Sequence, residues 1–454
     1  MKKNEEYIVD IIDNGYEGEG IAKVDNFTIF IPGSIKGEKV KVLIVKVTSS
    51  YAFGKILEII ESSKYRIEQI DCETYKRCGG CNLRHVKYDK TLELKKETVQ
   101  NLVNKNLKTE IEVKDTIGME NPFNYRNKAQ YPVGIDKNGA PTIGVFANRT
   151  HEVIQIKECM IQNKQSEKIA KYICEFAKEN KISVYNEVTK RGLLRHIVIK
   201  VGIKTNEIMC ILVINGREIN NEEILVKELT NRFSNIKTII KNINTKDTNV
   251  ILGRENITLY GDGYIYDKLG DYTFKISPLS FYQINPIQTE KLYNLALEKA
   301  KLTGKEILFD LYCGIGTIGI FMADKAKEVY GIEIVEDAIK DAKENCKINN
   351  ITNAKYYAGD TEKLLSNLIE NDRIIPDVIV VDPPRKGLDR TTIENIKKIK
   401  PKKVIYISCN PATLVRDLSY LEEEYMIKEI QPVDMFPFTS HVECCALLEI
   451  KKDL

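Results

Sequence analysis

At 454 residues, 43% hydrophobic and 29% charged with a net charge of +3, the chain has the make-up of a soluble globular protein of two or three domains. No stretch approaches the ~20 consecutive apolar residues of a membrane span, and Met1-Lys2-Lys3-Asn4-Glu5-Glu6 lacks the apolar core of a signal peptide, so a membrane class is excluded and a cytoplasmic protein expected. Near-neutral charge leaves only local basic patches to attract a polyanion. Tryptophan is absent, so base stacking falls to Phe, Tyr, His and Arg.

Residues 6–60 read as short strands at 7–12, 20–24, 27–31, 39–47 and 54–60, with turns at Asn14-Gly15, Gly18-Glu19-Gly20 and Pro32-Gly33. Their alternation and spacing suit a small barrel of the oligonucleotide-binding type. The next stretch opens with Cys72, Cys78 and Cys81, a C-x5-C-x2-C spacing with Gly79 and Gly80 in the turn, and Cys159 supplies a fourth thiol. Eleven cysteines in a reducing compartment point to metal or catalysis rather than disulfides. Zinc and a four-iron cluster both suit this donor set. Cys174, Cys210 and Cys346 read as ordinary small packing residues. A charged helix is expected at 88–106, with strand-like runs at 140–146 and 196–203 and turns at Gly253 and 261–263.

From residue 272 the rhythm becomes strand–helix–strand, with strands at 306–311, 329–333, 354–358, 378–381, 404–408 and 445–450 and a helix at 336–349. That is the pattern of an open, mostly parallel, doubly wound sheet. The expected division is a barrel at 1–62, an α+β segment carrying the cysteines at 63–270, and a Rossmann-like α/β domain at 271–454.

Ile307 to Leu311 runs into Tyr312-Cys313-Gly314-Ile315-Gly316-Thr317-Ile318-Gly319, a glycine-rich turn that lets backbone approach a ligand. Gly314, Gly316 and Gly319 satisfy G-x-G-x-x-G, and Glu333 ends the next strand where ribose hydroxyls would lie. S-adenosylmethionine and NAD both satisfy this loop; a bare tight turn is the lesser alternative. Asp382-Pro383-Pro384-Arg385 then favours the former, because two prolines stiffen a loop facing the crevice, and hydride transfer calls for neither that loop nor a thiol.

The apolar run 404–408 stops at Ser408-Cys409-Asn410-Pro411, which leaves a thiol at a strand end beside turn residues. His441-Val442-Glu443 precedes the final strand. A thiolate and an acid fit one chemistry: the thiolate adds to carbon 6 of a uracil and makes carbon 5 nucleophilic, and a base later removes the carbon 5 proton. Without Cys409, Glu443 would be an ordinary surface glutamate; His441 either orients a neighbour or is structural. Cys444 and Cys445 read as packing. Phe281-Tyr282-Gln283-Ile284-Asn285 places an aromatic beside an amide, alone no better than a core aromatic.

With these residues in place the chain resembles the RNA uracil-C5 methyltransferase family, in the branch that carries an iron–sulfur cluster. The resemblance spans the chain and rests on four motifs in the family's order: 310–316, 382–385, 408–411 and 441–443. It implies that residues 6–60 are a TRAM domain, an RNA-binding barrel. It implies catalysis by Cys409 and Glu443, S-adenosylmethionine contacts from Gln283, Tyr312, Thr317, Glu333, Asp360 and Asp382, and Phe281 near the extruded base. It assigns Cys72, Cys78, Cys81 and Cys159 to a 4Fe-4S cluster. At the position of Thr317 some members carry Asn. The expected substrate is 23S ribosomal RNA, with transfer RNA as the alternative, and the expected protein is a monomer without membrane association. Two other classes compete: an RNA-binding relative without activity, and a nicotinamide oxidoreductase with an iron–sulfur centre.

Overall fold

The computed structural model describes residues 1–147 and 150–451. The strands Glu6–Asp10, Asp13–Asn14, Gly20–Val24, Phe27–Ile31, Lys39–Val47 and Tyr51–Glu61 form one six-stranded sheet. Alternation sends Ile29, Ile31, Val40, Val42, Ile44 and Ala52 into a dry core. Val9 near one edge and Ala22 near the other share that core, and the Ile12 N–H donates to the Ile21 carbonyl at 2.8 Å, so the sheet closes on itself as the expected small barrel. The last strand starts at Tyr51, three residues earlier than its pattern predicts, because Thr48 caps the preceding turn through its hydroxyl.

A second seven-stranded sheet is built from Lys128–Ile135, Pro141–Phe146, Val153–Gln155, Leu194–Val201, Ile208–Ile214, Ile236–Ile243 and Glu255–Tyr260. One face is covered by the helices Lys164–Glu179 and Glu222–Arg232. On the other, Val198, Met209, Ile211 and Val213 pack against the hairpin Ile265–Leu269/Tyr272–Ile276 in the core of the C-terminal part. A sheet apolar on both faces reads as unbroken hydrophobic runs, as Ile208–Ile214 does.

The third sheet has the spatial order Ala354–Ala358, Glu328–Glu333, Ile307–Leu311, Val378–Val381, Lys403–Ser408, Glu443–Ile450, Tyr425–Val433. The first five strands are parallel, Glu443–Ile450 runs antiparallel to both its neighbours, and Tyr425–Val433 therefore runs in the same direction as the first five. The helices Pro286–Ala300, Thr317–Ala323 and Glu336–Ile348 cover one face; Thr361–Glu370, Arg390–Ile399 and Pro411–Leu421 cover the other. Tyr88–Asn106 joins this second layer: Val99 and Val103 share a core with Phe309, Leu311 and Leu414, so the buried face of that helix belongs to the C-terminal sheet. Chain order reverses between Ile307–Leu311 and Val378–Val381, which opens a crevice at the carboxyl edge. Four helices start just beyond crevice loops, capped by Asn285, Asp360, Asp389 and Asn410, whose side chains each accept a backbone N–H.

No helix among the described residues is long and apolar enough to cross a membrane.

Candidate active site

The sheet register brings the two reactive groups together. Ser408 is paired with Cys444 across antiparallel strands, so one step further along the same register places Cys409 opposite Glu443. Cys409 is half-buried, whereas Glu443 is only 2% exposed. Burial pushes the Cys409 thiol up to about 11, and the nearby Glu443 and Asp382 carboxylates add to the rise while Arg385 opposes it. Burial, reinforced by Asp382, holds Glu443 well above the ordinary carboxylate range, again opposed by Arg385. These are the signs of groups in one poorly solvated site.

Asp382 ends Val378–Val381 and accepts from Gln283 Nε2 at 3.3 Å. Burial raises it to about 7. Gln283 is itself held, its carbonyl accepting from Asn127 Nδ2 at 2.8 Å. Phe281, two residues earlier, is 63% exposed at the rim. Asp310 lies beneath the glycine turn: Oδ2 accepts from the Gly319 N–H at 2.8 Å and Oδ1 has no partner. Burial raises Asp310 to about 8, with Asp382 and Glu333 contributing. Glu333 accepts from the Gly314 N–H at 3.2 Å and from the Val335 N–H at 3.0 Å, which straps the glycine turn to the next strand.

Gly314 has φ +54°, and a Cβ there would meet nothing within 4 Å, so the turn borders open space. Tyr312, just before it, is a non-glycine residue at φ +65°, held by its hydroxyl donating to Asp389 Oδ2 at 3.2 Å. Strain of this kind persists only where surroundings enforce it. Thr317 shares a 3.0 Å hydrogen bond with the Tyr293 hydroxyl, and Asp360 receives the Lys363 N–H at 3.3 Å. Asp310 and Glu443 each feel Asp382, and Asp310 also feels Glu333, so the four carboxyls cluster at the carboxyl edge of the sheet, with Arg385 the opposing cation at Glu443. Such a cluster suits a cationic ligand.

Sequence reasoning gave Asp310 and Arg385 no role, although both stand within quoted motifs. The signal for Asp310 was an acid at a strand end nine residues before Gly319. His441 is exposed, its ring edge-on to Phe436 at 6.0 Å, and burial followed by Arg385 and Lys95 lowers it from the ordinary imidazole value, opposed by Glu17. Cys444 and Cys445 are fully buried, as expected of packing.

Cys72, Cys78, Cys81 and Cys159 are all half-buried. Burial pushes Cys81 up to about 12, with contributions from Cys159, Cys78 and Cys72, so the four thiols lie within electrostatic reach of one another. Yet among the described residues no group of three or more His, Cys, Asp or Glu side chains is spaced to hold a metal ion. The expected 4Fe-4S site is thus a grouping of donors rather than a formed ion cage.

On the outward face of the barrel Phe30, Tyr51 and Phe53 form an aromatic triad with ring centroids 5.5–5.9 Å apart. Pairing places Lys46 beside Phe53 and Lys23 beside Thr28, and Lys55 is on the face of Phe53. These three lysines are exposed and make no ion pair among the described residues, unlike Lys36, Lys39 and Lys41.

Residues 87–451 match the profile of the tRNA (uracil-5-)-methyltransferase family, and residues 2–57 that of the TRAM domain. An uncharacterized RNA methyltransferase of Clostridium acetobutylicum is 47% identical over 453 residues, covering 99% of this chain and 98% of its own. Another, from Halalkalibacterium halodurans, is 45% identical with the same coverage. Among solved structures, the Pyrococcus abyssi tRNA (uracil-54, C5)-methyltransferase in complex with S-adenosyl-L-homocysteine matches with a TM-score of 0.78 and 28% identity, over 98% of this chain and 100% of that one. Profile, full-length relatives and fold agree: the chain belongs to the RNA uracil-5 methyltransferase family and is an enzyme of that family with an N-terminal TRAM domain.

Proposed function

We propose that the protein methylates carbon 5 of a uridine in RNA at the expense of S-adenosylmethionine, with Cys409 as nucleophile and Glu443 as general base. The observation that carries this reading is the register that sets Cys409 opposite Glu443 at the edge of an acid-lined crevice. S-adenosylmethionine would supply an electrophilic methyl group on a cationic sulfur. Asp310, Glu333 and Asp382 favour a positive ligand, and the open space at Gly314 admits one against the backbone, whereas the pyrophosphate of NAD would meet the same acids unfavourably. Gln283, Tyr312, Thr317 and Asp360 complete the proposed contacts.

Cys409, as thiolate, adds to carbon 6 of the uracil, and ring electrons move to carbon 5. After carbon 5 has been methylated, Glu443 accepts its proton and the carbon 6–sulfur bond breaks, which returns the thiolate. Phe281, exposed and two residues before Gln283, is the proposed stacking partner of an extruded base. Extrusion costs a few kcal/mol of stacking and pairing. The triad of Phe30, Tyr51 and Phe53 with its free lysines suits unpaired nucleotides beside the target.

Ribosomal RNA is the first substrate proposed, on the strength of the barrel and the cysteine group; transfer RNA is the second, favoured by the Pyrococcus abyssi neighbour. Incubating the protein with labelled S-adenosylmethionine and total RNA from a strain lacking its gene, then mapping 5-methyluridine, separates the two. Label in neither RNA overturns the activity proposed. The four cysteines are proposed to hold a 4Fe-4S cluster: their chemistry fits, and a four-iron cube needs wider sulfur spacing than a single ion. Anaerobically purified protein should then show the broad visible absorbance of iron–sulfur charge transfer, and its absence together with absence of iron overturns the cluster.

A further inference from the structure

The barrel reaches the catalytic turn through Tyr16. This residue sits in the loop between Asp13–Asn14 and Gly20–Val24, and its hydroxyl donates to Asn410 Oδ1 at 3.0 Å. Asn410 follows Cys409 directly. The same oxygen accepts the Ala412 N–H at 3.1 Å, and Nδ2 donates to the Arg385 carbonyl at 3.0 Å. One amide thus ties together the start of Pro411–Leu421, the Asp-Pro-Pro-Arg turn and the barrel.

The loop that carries Tyr16 is itself fixed. Asn82 donates to the Glu17 carbonyl and to Ser440 Oγ, and its Oδ1 accepts the Ser440 N–H at 2.8 Å. Gly18, at φ +82°, leaves so little room that a Cβ would come within 2.6 Å of Leu83 Cδ2. Bracketed in this way, Tyr16 has a set position, 46% exposed, with Cys409 and Arg385 within electrostatic reach.

We propose that Tyr16 is a positioning residue for methyl transfer: by holding Asn410 it fixes the turn that aims Cys409, so the barrel completes the catalytic site. The proposal rests on Cys409 being the nucleophile. The helix cap at Asn410 survives without Tyr16, because the Ala412 N–H remains. What Tyr16 adds is a second donor that restrains the amide plane, and with it the peptide next to the thiol.

The test uses the full-length enzyme as wild type and Tyr16→Phe, with labelled S-adenosylmethionine and total RNA from the deletion strain. Loss of one hydroxyl is expected to lower kcat about five- to tenfold with the KM for RNA unchanged within about twofold. The melting temperature should stay that of wild type. In a Glu443→Gln background the Tyr16→Phe change should slow formation of the protein–RNA adduct by the same factor. An unchanged kcat overturns the proposal. So does a raised KM with unchanged kcat, which makes Tyr16 an RNA contact, and so does a lowered melting temperature accompanying the loss, which makes it a structural tie. If the Glu443→Gln protein forms no adduct although wild type methylates RNA, the reading of Cys409 fails, and this proposal with it.

Discussion

The crevice of the C-terminal sheet and the cysteine-bearing segment 62–87 place their reactive groups by different means. In the crevice, backbone ladders set the spacing: Tyr312, Glu333, Asp382 and Cys409 each follow or end a parallel strand, and an antiparallel register delivers Glu443. The segment 62–87 contains no helix or strand. A few backbone bonds, such as the Ile67 N–H to the His85 carbonyl at 2.9 Å, and many side chains hold it: Arg66 Nη2 donates to the buried Glu38 at 2.7 Å, Arg84 pairs with Asp71 and lies 3.9 Å over the Phe438 ring, and Tyr75 bonds His85 at 2.6 Å. A ladder fixes a site before any ligand arrives; a loop tied by side chains leaves room for a bound group to do part of the ordering.

If the crevice is preorganised, its variants should alter chemistry without altering the fold. The largest effect is expected from Cys409→Ala, which should take turnover below detection while S-adenosylmethionine affinity, read by calorimetry, stays within about twofold. Glu443→Gln should slow product release by roughly 10²–10⁴-fold, so that a protein–RNA adduct persists on denaturing gels.

Asp382→Asn should weaken S-adenosylmethionine binding by about tenfold, since a carboxylate proposed to attract the cationic ligand would be lost. The same logic predicts the pH response of wild type. Asp382 is raised to about 7 and Asp310 to about 8, so both are largely protonated at pH 6, and cofactor affinity should climb from pH 6 to about 9 and then level off. For the cofactor-free protein the sign is opposite. An acid whose folded value is raised binds more protons folded than unfolded, so stability present at low pH is lost as pH rises from the ordinary carboxylate range to about 8. A melting temperature that increased over that range would contradict this.

On the barrel, Phe53→Ala should weaken RNA binding about five- to tenfold in a filter assay and leave kcat at saturating RNA unchanged. Smallest in catalysis, and sharpest for the contrast between the two regions, is the pair Cys78→Ser and Arg84→Met. Side-chain ties alone predict that Arg84→Met lowers the melting temperature by several degrees while Cys78→Ser hardly moves it; a cluster that orders the segment predicts the reverse ranking.

The strands of the catalytic sheet could be read from sequence because each is a short apolar run closed by chemistry-bearing residues. Predicted strands at 329–333, 378–381 and 404–408 lie within a residue of those observed. The candidates Glu333, Asp382, Cys409 and Glu443 stand out in the sequence for the same reason, since each lies at or beside a strand end. The strand Tyr425–Val433 gave no such signal: Lys428, Glu429 and Pro432 interrupt it, and a bulge between Ile427 and Glu429 shifts its register. The attachment of Tyr88–Asn106 to the C-terminal core was equally hidden, because its buried Lys95 reads as surface charge until Asp434 is found beside it. The hydrogen bond from Tyr16 to Asn410 spans 394 positions, a separation over which periodicity and local motifs carry no information.

The strand Glu443–Ile450 lies between Lys403–Ser408 and Tyr425–Val433, neighbours that precede it in the chain. Among the strands, Tyr425–Val433 pairs with Glu443–Ile450 alone, so the two join the sheet as one antiparallel unit through Lys403–Ser408. Without that unit the sheet would end at Lys403–Ser408, with no carboxylate across from the sulfur of Cys409. The reactivity proposed for Cys409 toward pyrimidines therefore depends on the last strand of the chain being in place.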